Sequence, residues 1–375
     1  MVKGRLDWYV LTSVILLMLF SIAFVYSASY AFAEAKFGSE EKLFFNHLIR
    51  VGLGILTLII FAKIDYHVWM KLSKILLIIG VFLLITVLLV GLEKKGSARW
   101  LDLGPIGFQP SEFAKFALVM HLAALLHRKQ KVIKDFKEGL LPLLIWTVGV
   151  CFLIILQPDN STALVIFSIA TAMIFIGNAN LLHLGALAGV FSALGVGYAF
   201  LVSGYPLERL KAFLGMSGTT EELERLGYQL KQSLIALGNG GFFGVGPGQS
   251  KQSNLFLPES YSDFIYSIIG EEYGFIGAVF IILVFVLIFW RGMIIAKHAP
   301  DTFGYFLAIG IILTFSMYAF VNAGVNCGLL PTTGLPMPFV SYGGTAILFH
   351  AAAIGILLNI SAQAGVYPKK ENEKE

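Results

Sequence analysis

Several groups of ionisable side chains stand among apolar neighbours, and each could do chemistry. In Gln109-Pro110-Ser111-Glu112-Phe113-Ala114-Lys115, Pro110 starts a helix, and Glu112 and Lys115, three positions apart, share one of its faces and can pair. Charges at membrane depth are costly unless paired or facing a cavity, so both are functional candidates; a structural ion pair at the rim is the equal alternative. In Leu257-Pro258-Glu259-Ser260-Tyr261-Ser262-Asp263-Phe264-Ile265, Ser260 and Asp263 fit the S-x-x-D pattern of a capping box. Asp263 is then either a helix-start carboxylate accepting from backbone donors or a general base that the helix dipole keeps ionised. The pattern alone favours the cap. Glu271 and Glu272 follow roughly 12 Å further along the same helix. At that depth one of them must be paired, protonated or in a polar cavity, with Arg50, Lys115 and His350 as candidate partners. Asp159, in Gln157-Pro158-Asp159-Asn160-Ser161, fits a turn cap and is a second-rank site candidate.

The elements that must hold these residues are membrane helices. Of 375 residues, 57% are hydrophobic and 13% charged, whereas soluble domains run near 45–50% and about 25%. A spanning helix needs roughly 20 apolar residues, and ten candidates occur at 9–31, 46–63, 73–91, 111–127, 139–156, 161–178, 182–203, 263–290, 303–328 and 341–364. The expected fold is an all-α polytopic membrane protein with about ten transmembrane helices and a long extracytoplasmic loop, 204–262, between helices 7 and 8. Residues 1–368 form a single membrane domain, and 369–375 (KKENEKE) a charged cytoplasmic tail. The first apolar run exceeds a typical signal-peptide h-region and is read as a retained helix. Cys151 and Cys327 both fall in apolar stretches, which suggests neither a disulfide framework nor a metal cluster. The net charge of +4 is spread along the chain and gives no reason to expect a nucleic-acid partner.

Basic residues alternate between loops. One side carries fifteen, among them Lys63, Lys71, Arg128, Lys131 and Arg291; the short loops of the other carry Lys36, Lys42, Lys94, Lys95 and Arg99. The positive-inside rule therefore puts both termini in the cytoplasm. The long loop and the segments around Trp100, Asp159 and Pro331–Gly344 then lie outside, and most of the unusual polar chemistry lies with them.

Within the long loop, Thr219 and Glu222 form a capping pattern, and Leu223, Leu226, Leu230, Leu234 and Leu237 follow at helical spacing. This predicts an interfacial amphipathic helix with Gln229, Gln232 and Ser233 on or near its polar side. The next stretch, GNGGFFGVGPG at 238–248, could bring backbone N–H groups to a phosphate or serve as a flexible lid; it matches no nucleotide-binding pattern. GVNCGLLPTTGLPMPFVSYGG at 324–344 predicts a re-entrant loop lining an outward-facing cavity, with Ser341 and Tyr342 at its end.

Carboxylates, a few basic groups and glycine-rich backbone, without a nucleotide site, suit a substrate that carries its own leaving group. A lipid-linked pyrophosphate sugar is such a substrate. Basic side chains and backbone donors stabilise the departing diphosphate, while one carboxylate takes the proton of the attacking hydroxyl in an inverting displacement. Two other classes fit less of the pattern: a flippase for lipid-linked precursors, using Glu112, Lys115, Glu271 and Glu272 along a polar path, and a scaffold that recruits a partner through its loops.

QPSEFAK at 109–115, QPD at 157–159, LPESYSDFI at 257–265, GEEYG at 270–274 and LPMPFVSYGG at 335–344 together resemble the SEDS family (shape, elongation, division and sporulation proteins), in the same order over about residues 8–365. The resemblance implies a ten-helix peptidoglycan glycosyltransferase acting on lipid II and lipid-linked glycan. It implies a class B penicillin-binding protein as transpeptidase partner, with other divisome proteins. It matches Asp263 to the family's essential aspartate, which turns the balance toward the general base. Trp100, in Ala98-Arg99-Trp100-Leu101, matches the family's loop tryptophan, a substrate contact, and Glu112 and Lys115 match its membrane pair. Arg99, Asp159, Gln232, Ser233, Lys251, Glu259, Ser341, Tyr342 and Gly343 complete the expected substrate-binding or cavity set. Where the common family form has His-Thr before the aspartate, Tyr261-Ser262 stand here: the hydroxyl is kept and the imidazole is not. GVGPGQSKQ at 244–252 and LPTTGLP at 330–336 resemble the division branch more than the elongation branch, whose polymerase is the alternative; the sporulation branch is not separated by them. No cofactor is required, and a divalent cation (Mg or Mn) accompanying the diphosphate is left open.

Overall fold

The computed structural model describes residues 6–94, 97–102, 107–180, 204–215 and 221–364, with 182, 183, 185 and 189 between them. Its first helix, α1 (Trp8–Phe37), starts where the Asp7 carboxylate accepts from the Val10 N–H, and ends at Gly38 in the left-handed conformation. α2 (Lys42–Lys63) and α3 (His67–Val90) follow. A small antiparallel sheet that the sequence did not signal then intervenes: β1 (Leu92–Lys94), β2 (Ser97–Asp102) and β3 (Gly107–Phe108), in the order β1-β2-β3. Beyond it come α4 (Pro110–Lys129), α5 (Leu141–Ile155) and α6 (Asn160–Ile176). α7 (Gly204–Phe213) and α8 (Glu221–Gly240) make the predicted loop partly helical. α9 (Ile265–Lys297), α10 (Thr302–Asn326) and α11 (Ala346–Gln363) complete the bundle.

Nine of the ten predicted spans thus coincide with helices among the described residues, and the seventh, 182–203, lies outside them except for residues 182, 183, 185 and 189. So do the capping residue Thr219 and the tail 369–375. Among the described residues, seven helical segments are long and apolar enough to cross a bilayer, and α6 is a shorter apolar helix. The polytopic all-α class is therefore observed.

Burial separates the centre of the bundle from its rim. In α10 and α11, 72% of the most apolar window is buried inside the protein, against 28% in α2 and α3. The rim helices instead present Ile49, Leu56, Ile75, Phe82 and Leu89 outward, as lipid-facing helices do. Central helices approach closely through small residues. At Gly355 of α11 a Cβ would lie 2.6 Å from the Leu58 carbonyl oxygen of α2, so only glycine permits that contact. Beside it, Asn359 donates to the Ala62 carbonyl at 2.9 Å and accepts from the Tyr66 N–H at 3.0 Å, fixing the α2–α3 turn.

α9 departs from the continuous helix predicted over 263–290. Its φ/ψ at Gly274 is 67°/−166°, a break inside the span. The glycine-rich loop fills that break. Val245 and Gly246 donate to the Glu271 and Glu272 carbonyls at 3.0 Å, and Phe275 donates to the Gly241 carbonyl at 2.9 Å. The loop's backbone donors at 245 and 246 are thus taken by α9 and are not offered to a phosphate, one of the two readings the sequence left open.

Candidate active site

One end of the bundle holds a cavity of about 440 Å³. Its walls come from α2 (Arg50), β2 (Arg99, Trp100), the approach to and first turn of α4 (Gln109, Glu112), the α5–α6 turn and α6 (Asp159, Thr162), α7 (Arg209) and α8 (Arg225, Gln229). The remaining walls are 259–264, 332–336 and the segment 342–346 that leads into α11. Most of the predicted site motifs between α2 and α11 reach it; the glycine-rich loop and the Glu271–Glu272 segment of α9 do not.

Asp263 lines the cavity in a tight turn immediately before α9, whose N-cap is Phe264. The predicted capping box does not form: the Ser260 hydroxyl donates instead to the Ala28 carbonyl of α1 at 2.8 Å. The turn is clamped by its carbonyls. Tyr342 N–H donates to Tyr261 O at 2.9 Å and the Ser341 hydroxyl to Ser262 O at 2.6 Å. The side-chain amides of Asn322 and Asn326 donate to Asp263 O at 2.8 and 3.0 Å. Three successive carbonyls are therefore held by α10 and the 324–344 loop, and the turn packs on α1 through Ser260. Glu259, at φ 58°, enters the left-handed region that non-glycine residues seldom adopt; its carboxylate accepts from the Ser262 hydroxyl at 3.0 Å. Opposite the turn, a Cβ at Gly334 would lie 3.5 Å from Asp263 Oδ2, which puts the 324–344 loop directly under the carboxylate. Burial, and after it the charges of Glu259, Tyr342 and Asp263, raise the Tyr261 phenol well above its ordinary value, so Tyr261 stays a neutral donor at neutral pH.

Glu112 and Lys115 pair at 2.8 Å, with relative exposures of 4% and 0%. Glu112 faces the cavity, while Lys115 lies behind it with its ammonium 3.8 Å from the centroid of the Tyr318 ring. Asp159 lines the cavity and also caps α6, accepting from the Thr162 N–H; the cap is present, and it does not keep the residue out of the cavity wall. Arg99 pairs with Asp159 at 3.7 Å and donates to the Gln157 carbonyl at 3.1 Å and to the Pro158 carbonyl. Trp100 stands against Gly344, where a Cβ would meet its ring at 3.1 Å. Tyr342 and Gly343 line the cavity.

Other predicted residues sit elsewhere. Ser341 is buried and holds the Ser262 carbonyl, behind the lining. Ser233 is buried between α8, α9 and α10, against the Ser267 hydroxyl at 2.6 Å and the Asn326 carbonyl at 2.9 Å. Gln232 is half-buried outside the lining, where Gln229 takes the cavity-facing place, and Lys251 is exposed away from it. Glu271 accepts from Asn239, from the Ser250 hydroxyl at 2.5 Å and from the Gln252 N–H at 3.2 Å. Glu272 accepts from the Ser27 hydroxyl. Glu271 is thus satisfied by donors around the glycine-rich loop and Glu272 by a hydroxyl of α1, and Arg50, Lys115 and His350 are not those partners. Sequence reasoning missed Gln109, Arg209, Arg225, Thr332 and Thr333 as cavity residues. It noted Arg50 without connecting it to the cavity, although a lone guanidinium inside a spanning helix is itself a signal.

The fold and the cavity define a polytopic membrane protein with an acidic and arginine-rich chamber at one end of its bundle. Residues 7–365 match the FtsW/RodA/SpoVE family, described as cell cycle protein, and the chain belongs to that family. It is 38% identical over 363 residues to stage V sporulation protein E of Bacillus subtilis, covering 96% of this chain and 98% of that one. It is 39% identical to a probable peptidoglycan glycosyltransferase FtsW of Trichlorobacter lovleyi, covering 96% and 94%. Among solved structures it resembles a chain described under "Structural coordination of polymerization and crosslinking by a peptidoglycan synthase complex", at TM-score 0.77 and 26% identity over 96% of this chain and 98% of that one. It also resembles the rod shape determining protein RodA of Thermus thermophilus, at TM-score 0.70 and 26% identity over 95% and 96%.

Proposed function

We propose that the protein is a peptidoglycan glycosyltransferase that polymerises lipid II into glycan strands. The observation that carries this reading is the Asp263 carboxylate, carried on a clamped backbone turn in the wall of a chamber that also holds four arginines. Asp263 takes the proton of an acceptor sugar hydroxyl, whose oxygen forms a bond to the anomeric carbon of the donor sugar. The bond from that carbon to the lipid diphosphate breaks, and the diphosphate leaves with the electron pair. A single displacement inverts the anomeric centre and needs one carboxylate. The chemistry draws on no cofactor; a divalent cation would arrive with the diphosphate.

The basic residues of the loops support an orientation with the chamber at the outer face and both termini in the cytoplasm. The names of the relatives support cell-wall synthesis in division, and the complex in the structural neighbour's description supports a transpeptidase partner, a class B penicillin-binding protein. The test is polymerisation by the purified protein supplied with lipid II. Wild type makes glycan strands, and Asp263→Asn, still folded, loses activity by a factor on the order of 10²–10⁴ or more, the range for a general base. Normal polymer from Asp263→Asn removes Asp263 as base; lipid II crossing liposomes without any polymer makes the protein a flippase instead.

A further inference from the structure

Of the chamber's four arginines, Arg225 is exposed on α8, and the other three are held in different ways. Arg99 spends its donors on the Gln157 and Pro158 carbonyls and on Asp159. Arg209 gives Nη1 to the Ser161 hydroxyl at 2.7 Å and to the Thr333 carbonyl at 3.2 Å. Lys115, the other buried cation nearby, is paired with Glu112. Arg50 lies flat over the Tyr342 ring, its guanidinium carbon 4.6 Å from the centroid. Its Nη1 is buried without a hydrogen-bond acceptor, and among the described residues no carboxylate pairs with it.

Its position is equally specific. Arg50 lies about 12 Å along α2 from Lys42, yet it lines the chamber. Its neighbours on the helix, Ile49 at 62% exposure, Leu48 and Leu53, face outward on a rim helix. A cation short of acceptors at membrane depth is costly. Here it stands where a polar chamber meets a wall whose other side is hydrocarbon-facing. That boundary suits one kind of anion, a phosphate group joined to a lipid tail on one side and a sugar on the other. A guanidinium held flat on a ring presents a planar fork of donors suited to phosphate oxygens.

We propose that Arg50 is the anchor for the diphosphate of a lipid-linked substrate, held in plane by Tyr342, whereas Arg99 and Arg209 brace the chamber itself. This rests on the proposed glycosyltransferase reading for the identity of the lipid, and on the geometry alone for the anion.

The test measures binding of undecaprenyl diphosphate and of inorganic diphosphate to the purified full chain, alongside melting temperature and polymerisation kinetics. Arg50→Gln is expected to weaken both ligands at least tenfold, with Arg50→Lys intermediate, because the charge survives and the fork does not. Ligand-free Arg50→Gln is expected to melt at or above the wild-type temperature, since it removes an uncompensated cation; a structural arginine would lower it. Arg128→Gln, on the last turn of α4, serves as the control and binds as wild type. Unchanged affinity in a folded Arg50→Gln overturns the proposal, as does a loss for the lipid with none for inorganic diphosphate. If Arg50→Gln binds and polymerises as wild type, the anchor fails and the glycosyltransferase reading stands. If wild type binds diphosphate through Arg50 but makes no polymer, the anchor stands and that reading fails.

Discussion

The side-chain amide of Asn322, on the central helix α10, donates to the backbone carbonyl of Asp263 at 2.8 Å and to the Leu335 carbonyl at 2.7 Å. One buried group thus ties the turn that carries the candidate base to the 324–344 loop beneath it. Asn326, one helical turn on, repeats the grip on Asp263 at 3.0 Å and accepts from Ser267, which opens α9. The precision of the site comes from a rigid helix acting on backbone, with the Asp263 side chain left facing the chamber.

Asn322→Leu removes donors from two carbonyls and is expected to act on turnover more than on affinity. The Leu335 carbonyl loses its Asn322 donor, at a cost of roughly 1–3 kcal/mol, while the Asp263 carbonyl keeps only the Asn326 bond, and part of the loss appears as a misplaced carboxylate. Steady-state polymerisation should show kcat reduced about ten- to a hundred-fold, as a small misplacement of a catalytic group can cause, with KM within a few-fold of wild type. A fall in KM-linked affinity with kcat intact contradicts the positioning role.

Glu112 and Lys115 are buried together at 2.8 Å. Removing one partner leaves the other charge uncompensated, a loss of about 3–5 kcal/mol. Thermal unfolding in detergent should therefore find Lys115→Met and Glu112→Gln each strongly destabilised, and the double variant less so than the sum of the two. Additive losses would show that the pair does not act as a unit.

How much of this was legible from sequence depends on which force set each feature. The spans were readable because hydrocarbon requires long apolar helices, and nine of the predicted ones are present. The motif residues Trp100, Glu112, Asp159, Glu259, Asp263, Tyr342 and Gly343 meet in one chamber. What sequence periodicity could not show was long-range backbone satisfaction. Nothing local says that Ser260 bonds α1, that Asn322 holds Asp263, or that a glycine loop supplies the partners of a broken α9. The three-stranded sheet was hidden for a similar reason, since its strands are only three, six and two residues long. Gln232 and Ser233 were near misses: the amphipathic helix is present, but its cavity-facing positions are Arg225, Leu226 and Gln229, a turn or more earlier.

Gly244→Ala tests the glycine loop. The residue has φ +85°, and a Cβ there would lie 2.1 Å from the Glu272 carbonyl oxygen. Backbone cannot yield that distance, so the loop must leave the α9 break and strip Glu271 of its Ser250 and Gln252 donors. Limited proteolysis should then cut between 238 and 256 in the variant under conditions that leave wild type whole. Equal resistance would mean that the loop docks some other way.

At the end of the bundle away from the chamber, His67 bridges two carboxylates, Asp65 at 2.7 Å and Asp301 at 2.9 Å, and Asp301 also accepts from Tyr66 and from the Gly304 N–H that begins α10. Burial opposes ionisation of both acids, but for Asp65 the His67 bonds outweigh it, and for Asp301 the Tyr66, Gly304 and His67 bonds do; both sit below the ordinary 3.8. Because the folded values are depressed, the stabilisation is fully present above pH 3.8 and is lost as pH falls through the lower folded values. Asp301→Asn keeps a good helix cap while deleting the charge. It should lower stability at pH 7 by at most about 1 kcal/mol, given that Asp301 is 28% exposed. It should also flatten the melting-temperature profile below pH 4 relative to wild type. A variant profile that falls as steeply as wild type in that acid window would show that Asp301 contributes no proton-linked stability.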